Sequence, residues 1–156
     1  MCWLCDNPEA SQADYLRMAR EKIASHGFVI QSIEESEPYP PFSYTVGRAA
    51  HGLPELVITG LHHSVAQPLF TAVVAQSTGI GVLTPGDRLS VDGKPMEVVA
   101  LSDPTAHLYI AVAVYGPQIS ALQLVHADDH GIWPWSPEYS GAYRQPVLGP
   151  RTVFPS

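Results

Sequence analysis

The chain has 156 residues, 46% hydrophobic and 15% charged, which suits one domain apolar enough to bury a core. Fifteen acidic against eight basic residues give a net charge of −7, and Lys22 and Lys94 are the only lysines. With no run of Lys or Arg there is no basic patch, which argues against nucleic-acid and anionic-membrane partners.

The N-terminus carries the only two cysteines, in Met1-Cys2-Trp3-Leu4-Cys5. Asp6 and Glu9 follow at once, so no signal-peptide core forms, and no stretch reaches the roughly 20 apolar residues of a membrane span. A single closely spaced pair is no disulfide framework, and the expectation is a soluble cytoplasmic protein.

Asn7-Pro8 reads as a helix start, and Tyr15, Leu16, Ala19, Ile23 and Ala24 then share one helical face until Gly27 stops it. Residues 28–33, 42–46 (FSYTV) and 55–59 (ELVIT) are rich in β-branched and aromatic residues and read as strands. Ser64 and Gln67 form a capping-box pattern for a second helix over residues 64–76, with Pro68 near its first turn and Gly79 and Gly81 at its end. Thr84-Pro85-Gly86-Asp87 is a turn, and Asp92-Gly93 between residues 88–91 and 96–101 marks a two-residue hairpin. Residues 107–115 alternate and read as a strand, broken by Gly116-Pro117 and paired antiparallel with residues 119–126.

This order predicts an α+β domain, a mainly antiparallel sheet or partly closed barrel carrying two helices. Residues 1–132 form the core, and residues 133–156, rich in Pro and Gly, form an irregular tail wrapped over it. No internal repeat or second domain is visible.

Cys2 and Cys5 admit three readings. Two thiolates supply half of a tetrahedral zinc or iron shell, to be completed by histidine, carboxylate, water or the α-amine freed if Met1 is removed. A dithiol–disulfide pair is the second reading, although a chain terminus lacks the strand-to-helix turn of a thioredoxin-like motif. Small buried hydrophobes are the third. His126 and His130 have H-x3-H spacing, but roughly 120 residues separate them from the cysteines, so only the tertiary fold could bring the halves together. His130, beside Asp128 and Asp129, is the candidate third ligand; a solvated Asp-Asp turn is the plainer reading.

Tyr44 and Thr45 lie on opposite faces of one strand ahead of Gly47, and with His107 they are candidate ligand contacts. The plainer reading is a buried phenol needing a hydrogen bond. His51, His62 and His63 are read as loop or helix-start residues. No Gly-x-Ser-x-Gly, P-loop, His-Glu-x-x-His or dinucleotide fingerprint is present.

The blocks MCWLCDNPEA, PPFSYTVGRAAHGLPELVITGL, HLYIAVAVYGP, ALQLVHADDHGIWPW-x-PEY and QPVLGP together resemble the domain-of-unknown-function family numbered 4262. The resemblance covers nearly the whole chain in order. It implies that the Cys-x-x-Cys and Tyr-Thr-Val-Gly segments belong to a recurring pattern, and it carries no catalytic residues. In that pattern an aromatic often stands in the place of His126, which makes His126 a poor essential ligand.

Three function classes follow. The first is a metal-binding protein through Cys2 and Cys5. The second is a domain binding a small molecule, flavin included if the strands close as a split barrel. The third is a protein-interaction module presenting Trp133-Pro134-Trp135, and a homodimer is compatible with any of them.

Overall fold

The computed structural model describes residue 9 and residues 11–152, with Ile80 by its backbone alone. Helix α1 spans Gln12–His26. Its start is set by Ser11, whose hydroxyl accepts from Asp14 N while Asp14 caps Ser11 N in return, a full capping box. Asn7-Pro8, the expected start, lies outside the described residues. Gly27 at φ +92° closes the helix and turns the chain into β1, Val29–Ile33.

Strands β2 (Phe42–Val46) and β3 (Glu55–Thr59) follow, separated by a short 3-10 turn over Arg48–His51. Helix α2, His63–Ile80, is longer than its sequence pattern indicates. Its N-cap is the imidazole of His62, which accepts from Ser64 N, so the expected Ser64–Gln67 box is not the device used. Strands β4 (Arg88–Val91) and β5 (Lys94–Ala100) form the Asp-Gly hairpin, with Asp92 at φ 51° and Gly93 at φ 77°. Two positive φ angles give the primed turn whose twist matches the strands.

A 3-10 turn over Pro104–Ala106 then leads into α3, Tyr109–Tyr115, and β6, Ala121–His126, ends the regular structure. Most of the 107–115 segment, where alternation predicts a strand, is therefore helical, over Tyr109–Tyr115. Leu108, Ile110 and Ala111 are buried together while Tyr109 is exposed, a helical rather than an alternating pattern. The β-branched residues are overruled by packing against the sheet and by Tyr44, whose phenol accepts the otherwise orphaned Ile110 N–H at 2.9 Å.

The six strands form one open, mixed sheet in the order β1-β2-β3-β6-β5-β4. Four neighbouring pairs are antiparallel and the central β3–β6 pair is parallel. The barrel and the two-helix count are thus corrected to an open α+β sheet with three α-helices among the described residues. β6 pairs with β3 and β5, not with residues 107–115. The parallel pair sits in the middle, where β3 and β6 are buried on both faces along their whole length.

One face of the sheet, with Leu56, Ile58, Met96, Val98, Leu122 and Leu124, is covered by Phe70 and Val73 of α2. The opposite face, with Tyr44, Val46 and Val57, is covered by α1 and α3. The rest of that second face lies under the tail, which is fastened by polar side chains. Gln145 accepts His126 N at 3.0 Å and donates to His126 O at 2.8 Å, imitating a strand partner. Gln123 accepts Leu148 N at 2.7 Å and donates to Pro146 O at 2.7 Å. Glu97 pairs with Arg88 and Arg151, whose guanidinium groups lie over Trp133 and Trp135, themselves stacked at 5.2 Å.

Gln145→Ala strands two backbone groups of a buried strand, each worth about 1–3 kcal/mol when unsatisfied. Urea unfolding is expected to show a loss in that range, with faster amide exchange at His126. Unchanged exchange there would mean that the tail is held by other contacts.

Candidate functional site

The carboxylate of Glu55 at the start of β3 is 0% exposed and collects four hydrogen bonds. Its Oε1 accepts Thr45 Oγ1 at 2.8 Å and Arg48 N at 3.2 Å, and its Oε2 accepts Gly47 N at 3.0 Å and Ala49 N at 3.1 Å. Four donors on one buried carboxylate compensate its desolvation and clamp the β2–β3 connection into a single shape. Thr45 Oγ1 also accepts Leu56 N at 2.9 Å, so this hydroxyl bridges the carboxylate to the neighbouring strand.

Gly47 makes the clamp possible. Its φ of +135° disfavours a side chain, and a Cβ there would lie 2.7 Å from Gly27 O and 2.8 Å from Phe28 Cα. The segment Tyr44-Thr45-Val46-Gly47 therefore has a role at every position: helix cap, carboxylate partner, core residue and close approach to the α1–β1 corner.

The clamp presents Arg48 inward. Arg48 is 6% exposed as a residue, and its Nε donates to Pro54 O at 2.9 Å. No other side-chain hydrogen bond from Arg48 is formed among the described residues. Burial disfavours its charge and lowers its pKa, while the nearby Glu55 charge works in the opposite direction. Arg48 lines a cleft of about 370 Å³ whose apolar walls come from Phe28, Leu53, Val74 and Val82. Its other walls are the C-terminal ends of α1, at His26 and Gly27, and of α2, at Ser77, Thr78 and Gly81. The volume falls at the small end of the range for ligand pockets.

The profile of a family described as a domain of unknown function, DUF4262, matches residues 22–140. The chain belongs to the DUF4262 family. The match takes in the Glu55 clamp and every wall of the Arg48 cleft, and it stops short of Cys2 and Cys5. No curated protein and no solved structure matches the chain.

In this DUF4262 chain the described residues singled out from the sequence, Tyr44, Thr45, His107 and His130, occupy separate places. Tyr44 and Thr45 are buried and bonded to Ile110 N and to Glu55, which leaves neither hydroxyl open to a ligand. Burial raises the Tyr44 phenol well above its usual range, despite the hydrogen bond from Ile110. His107 lines a different recess of about 290 Å³, with Phe42, Thr59, Arg144 and Pro146 around it.

Cys2 and Cys5 lie outside the described residues. His130 is exposed, and among the described residues no three His, Cys, Asp or Glu side chains gather to hold a metal ion. Asp128 is committed elsewhere. Burial alone would raise its pKa, but hydrogen bonds from Ile132 N, Ser140 N, His130 N and the Ser140 hydroxyl bring it to about 2. His126, 2% exposed, donates from Nε2 to Thr59 O at 3.1 Å and has no partner at Nδ1 among the described residues. A backbone carbonyl only accepts, so Nε2 carries the proton and Nδ1 is the bare lone pair.

The sequence reading passed over Arg48 and Glu55. An arginine in a short polar loop looks solvated, yet Glu55 opens an otherwise apolar strand, and that isolated charge was the available signal.

Glu55→Ala leaves three buried backbone N–H groups and the Thr45 hydroxyl unsatisfied, so a loss of at least about 3 kcal/mol is expected in urea unfolding. His126 generates a separate pH prediction. Burial holds its imidazole below the usual value of 6.5. The unfolded chain therefore takes up a proton near pH 6.5 that the folded chain refuses, so stability falls as pH drops from about 6.5 toward the folded pKa. His126→Phe is expected to flatten this part of the stability–pH curve whatever its absolute stability. An unchanged slope between pH 7 and 5 would exclude His126 as its source.

Proposed function

We propose that this protein is a small-molecule-binding α+β domain whose site is the Arg48 cleft and whose ligand is an organic anion with an apolar body. The observation that carries this reading is a guanidinium set in the cleft wall whose one side-chain hydrogen bond among the described residues runs from Nε to Pro54 O. A charge taken out of water costs several kcal/mol unless partners replace the lost hydration. Here the natural partner, Glu55, spends its lone pairs on Thr45 and three backbone N–H groups. What remains is a charged fork beside Phe28, Leu53, Val74 and Val82, an arrangement suited to orienting an anion whose apolar part fills the cleft.

Two other readings are less well supported. A flavin site leaned on analogy with a closed split barrel, and the sheet is open. An interaction surface at Trp133-Pro134-Trp135 is weakened because both indoles stack on each other and against Arg88 and Arg151. Metal binding through Cys2 and Cys5 continues to rest on their spacing alone.

The test is Arg48→Met, which keeps the length of the side chain and removes the charge. A ligand-binding arginine makes the unliganded variant about as stable as the parent or more so, because an uncompensated buried charge is gone. A structural arginine instead makes the variant about 3–5 kcal/mol less stable. In thermal melts against a panel of small organic anions, ligand at 100 times its Kd stabilises the parent by about 2.7 kcal/mol and leaves the variant unmoved. A parent that no anion stabilises, or a variant stabilised equally, excludes the reading.

A further inference from the structure

The geometry points to a monocarboxylate, with an apolar body of medium-chain or aryl size, as the ligand class of the Arg48 cleft; this rests on the reading of that cleft as the binding site. Four features of the cleft decide between anion classes. The first is the donor geometry. Because Nε is held by Pro54 O, the two Nη groups are what the guanidinium can offer a ligand. Side by side, they match the two coplanar oxygens of a carboxylate in a bidentate pair.

The second is the sign of everything else nearby. The carboxylate of Glu55 is bonded to the backbone N–H of Arg48 itself, so a full negative charge lies close behind the guanidinium. The cleft is also walled by two helix C-termini, α1 at His26–Gly27 and α2 at Ser77–Gly81, where the macrodipole is negative. Among the described residues Arg48 is the only arginine or lysine lining the cleft. One cation against this background can hold one negative charge. A phosphate monoester carries nearly two at pH 7.5, and its second charge would meet Glu55 and two helix ends with no second arginine or lysine among the described lining residues to balance it.

The third feature is the wall chemistry. Phe28, Leu53, Val74 and Val82 require an apolar body, and Val82 at the lip is 62% exposed without one. The fourth is size. About 370 Å³ accommodates roughly a dozen water-sized units at about 30 Å³ each. That corresponds to a chain of around eight carbons with its carboxylate, or to an aryl acid.

The experiment titrates the full chain at pH 7.5 with octanoate, octyl phosphate and octanol, three probes that share a tail and differ in head group. Amide and methyl NMR shifts at Phe28, Leu53, Val74 and Val82 report binding. Octanoate is expected to give saturable shifts at these residues, with octyl phosphate and octanol at least about 10-fold weaker, a ratio equivalent to one decade in Kd. Octyl phosphate or octanol binding as tightly as octanoate at the same residues overturns the carboxylate assignment and leaves the cleft in place as a binding site. Shifts from none of the three overturn the cleft reading as well.

Two variants locate the head group. Arg48→Met is expected to reduce octanoate affinity to that of octanol. Val82→Glu changes an exposed side chain, so folding is preserved, and its new charge at the lip is expected to weaken octanoate at least about 10-fold while affecting octanol less. Octanoate affinity unchanged in Val82→Glu would overturn the assignment of the cleft.

Discussion

The rest of the structure depends on a single buried carboxylate. Glu55 stands at the first residue of a central strand, and its two oxygens collect one hydroxyl and three consecutive backbone N–H groups from the β2–β3 connection. Each of those donors would otherwise be an orphan inside the protein, and the carboxylate would be an uncompensated charge. Together they make a closed set, so the loop has one low-energy shape. That shape fixes the direction of Arg48, seats Gly47 against the α1–β1 corner, and lets β3 pair in register with both β2 and β6.

A second set of polar clamps serves the other half of the sheet. The tail contributes little regular structure, so its own backbone groups cannot form a ladder. Side-chain amides substitute for one. Gln145 offers its oxygen and nitrogen to the N–H and C=O of His126 as a neighbouring strand would, and Gln123 does the same for Leu148 N and Pro146 O. The amide group is suited to this because it carries a donor and an acceptor at the spacing of a peptide. The Arg88–Glu97–Arg151 cluster then fastens the far end, with both indoles sandwiched between the guanidinium groups. An irregular segment can cover a core in this way only if its polar groups are met one by one.

How much of this could be read from sequence depends on how local the cause is. FSYTV and ELVIT coincide with β2 and β3, and Asp92-Gly93 sits at its hairpin, because strand content and turn chemistry are local properties. Residues 107–115 mislead because alternating Val and Ala suits a strand locally. Their helix is decided by Tyr44, 66 residues away in sequence, which caps it, and by the sheet face beneath. Tyr44 and Thr45 were found as residues with a hydrogen-bonding duty, but the partners of that duty are structural. The cleft itself was not legible, since its walls come from α1, the 3-10 turn and the end of α2, which the chain order keeps apart.

The contrast between the two buried glutamates explains why Arg48 is singular. Glu97 is neutralised by two arginines that bond it directly. Glu55 is satisfied by uncharged donors, and Arg48 keeps its charge near that carboxylate with no side-chain bond to it. Backbone N–H groups and a guanidinium compete for the same lone pairs, and in the β2–β3 connection the backbone takes them. A loop built the other way, with Arg48 on Glu55, would satisfy both charges but would strand Gly47, Arg48 and Ala49 N–H groups in the interior. The arrangement that folds the connection is therefore also the one that leaves a positive fork at the cleft wall. Loop geometry and binding capacity are two results of one choice of hydrogen-bond partners.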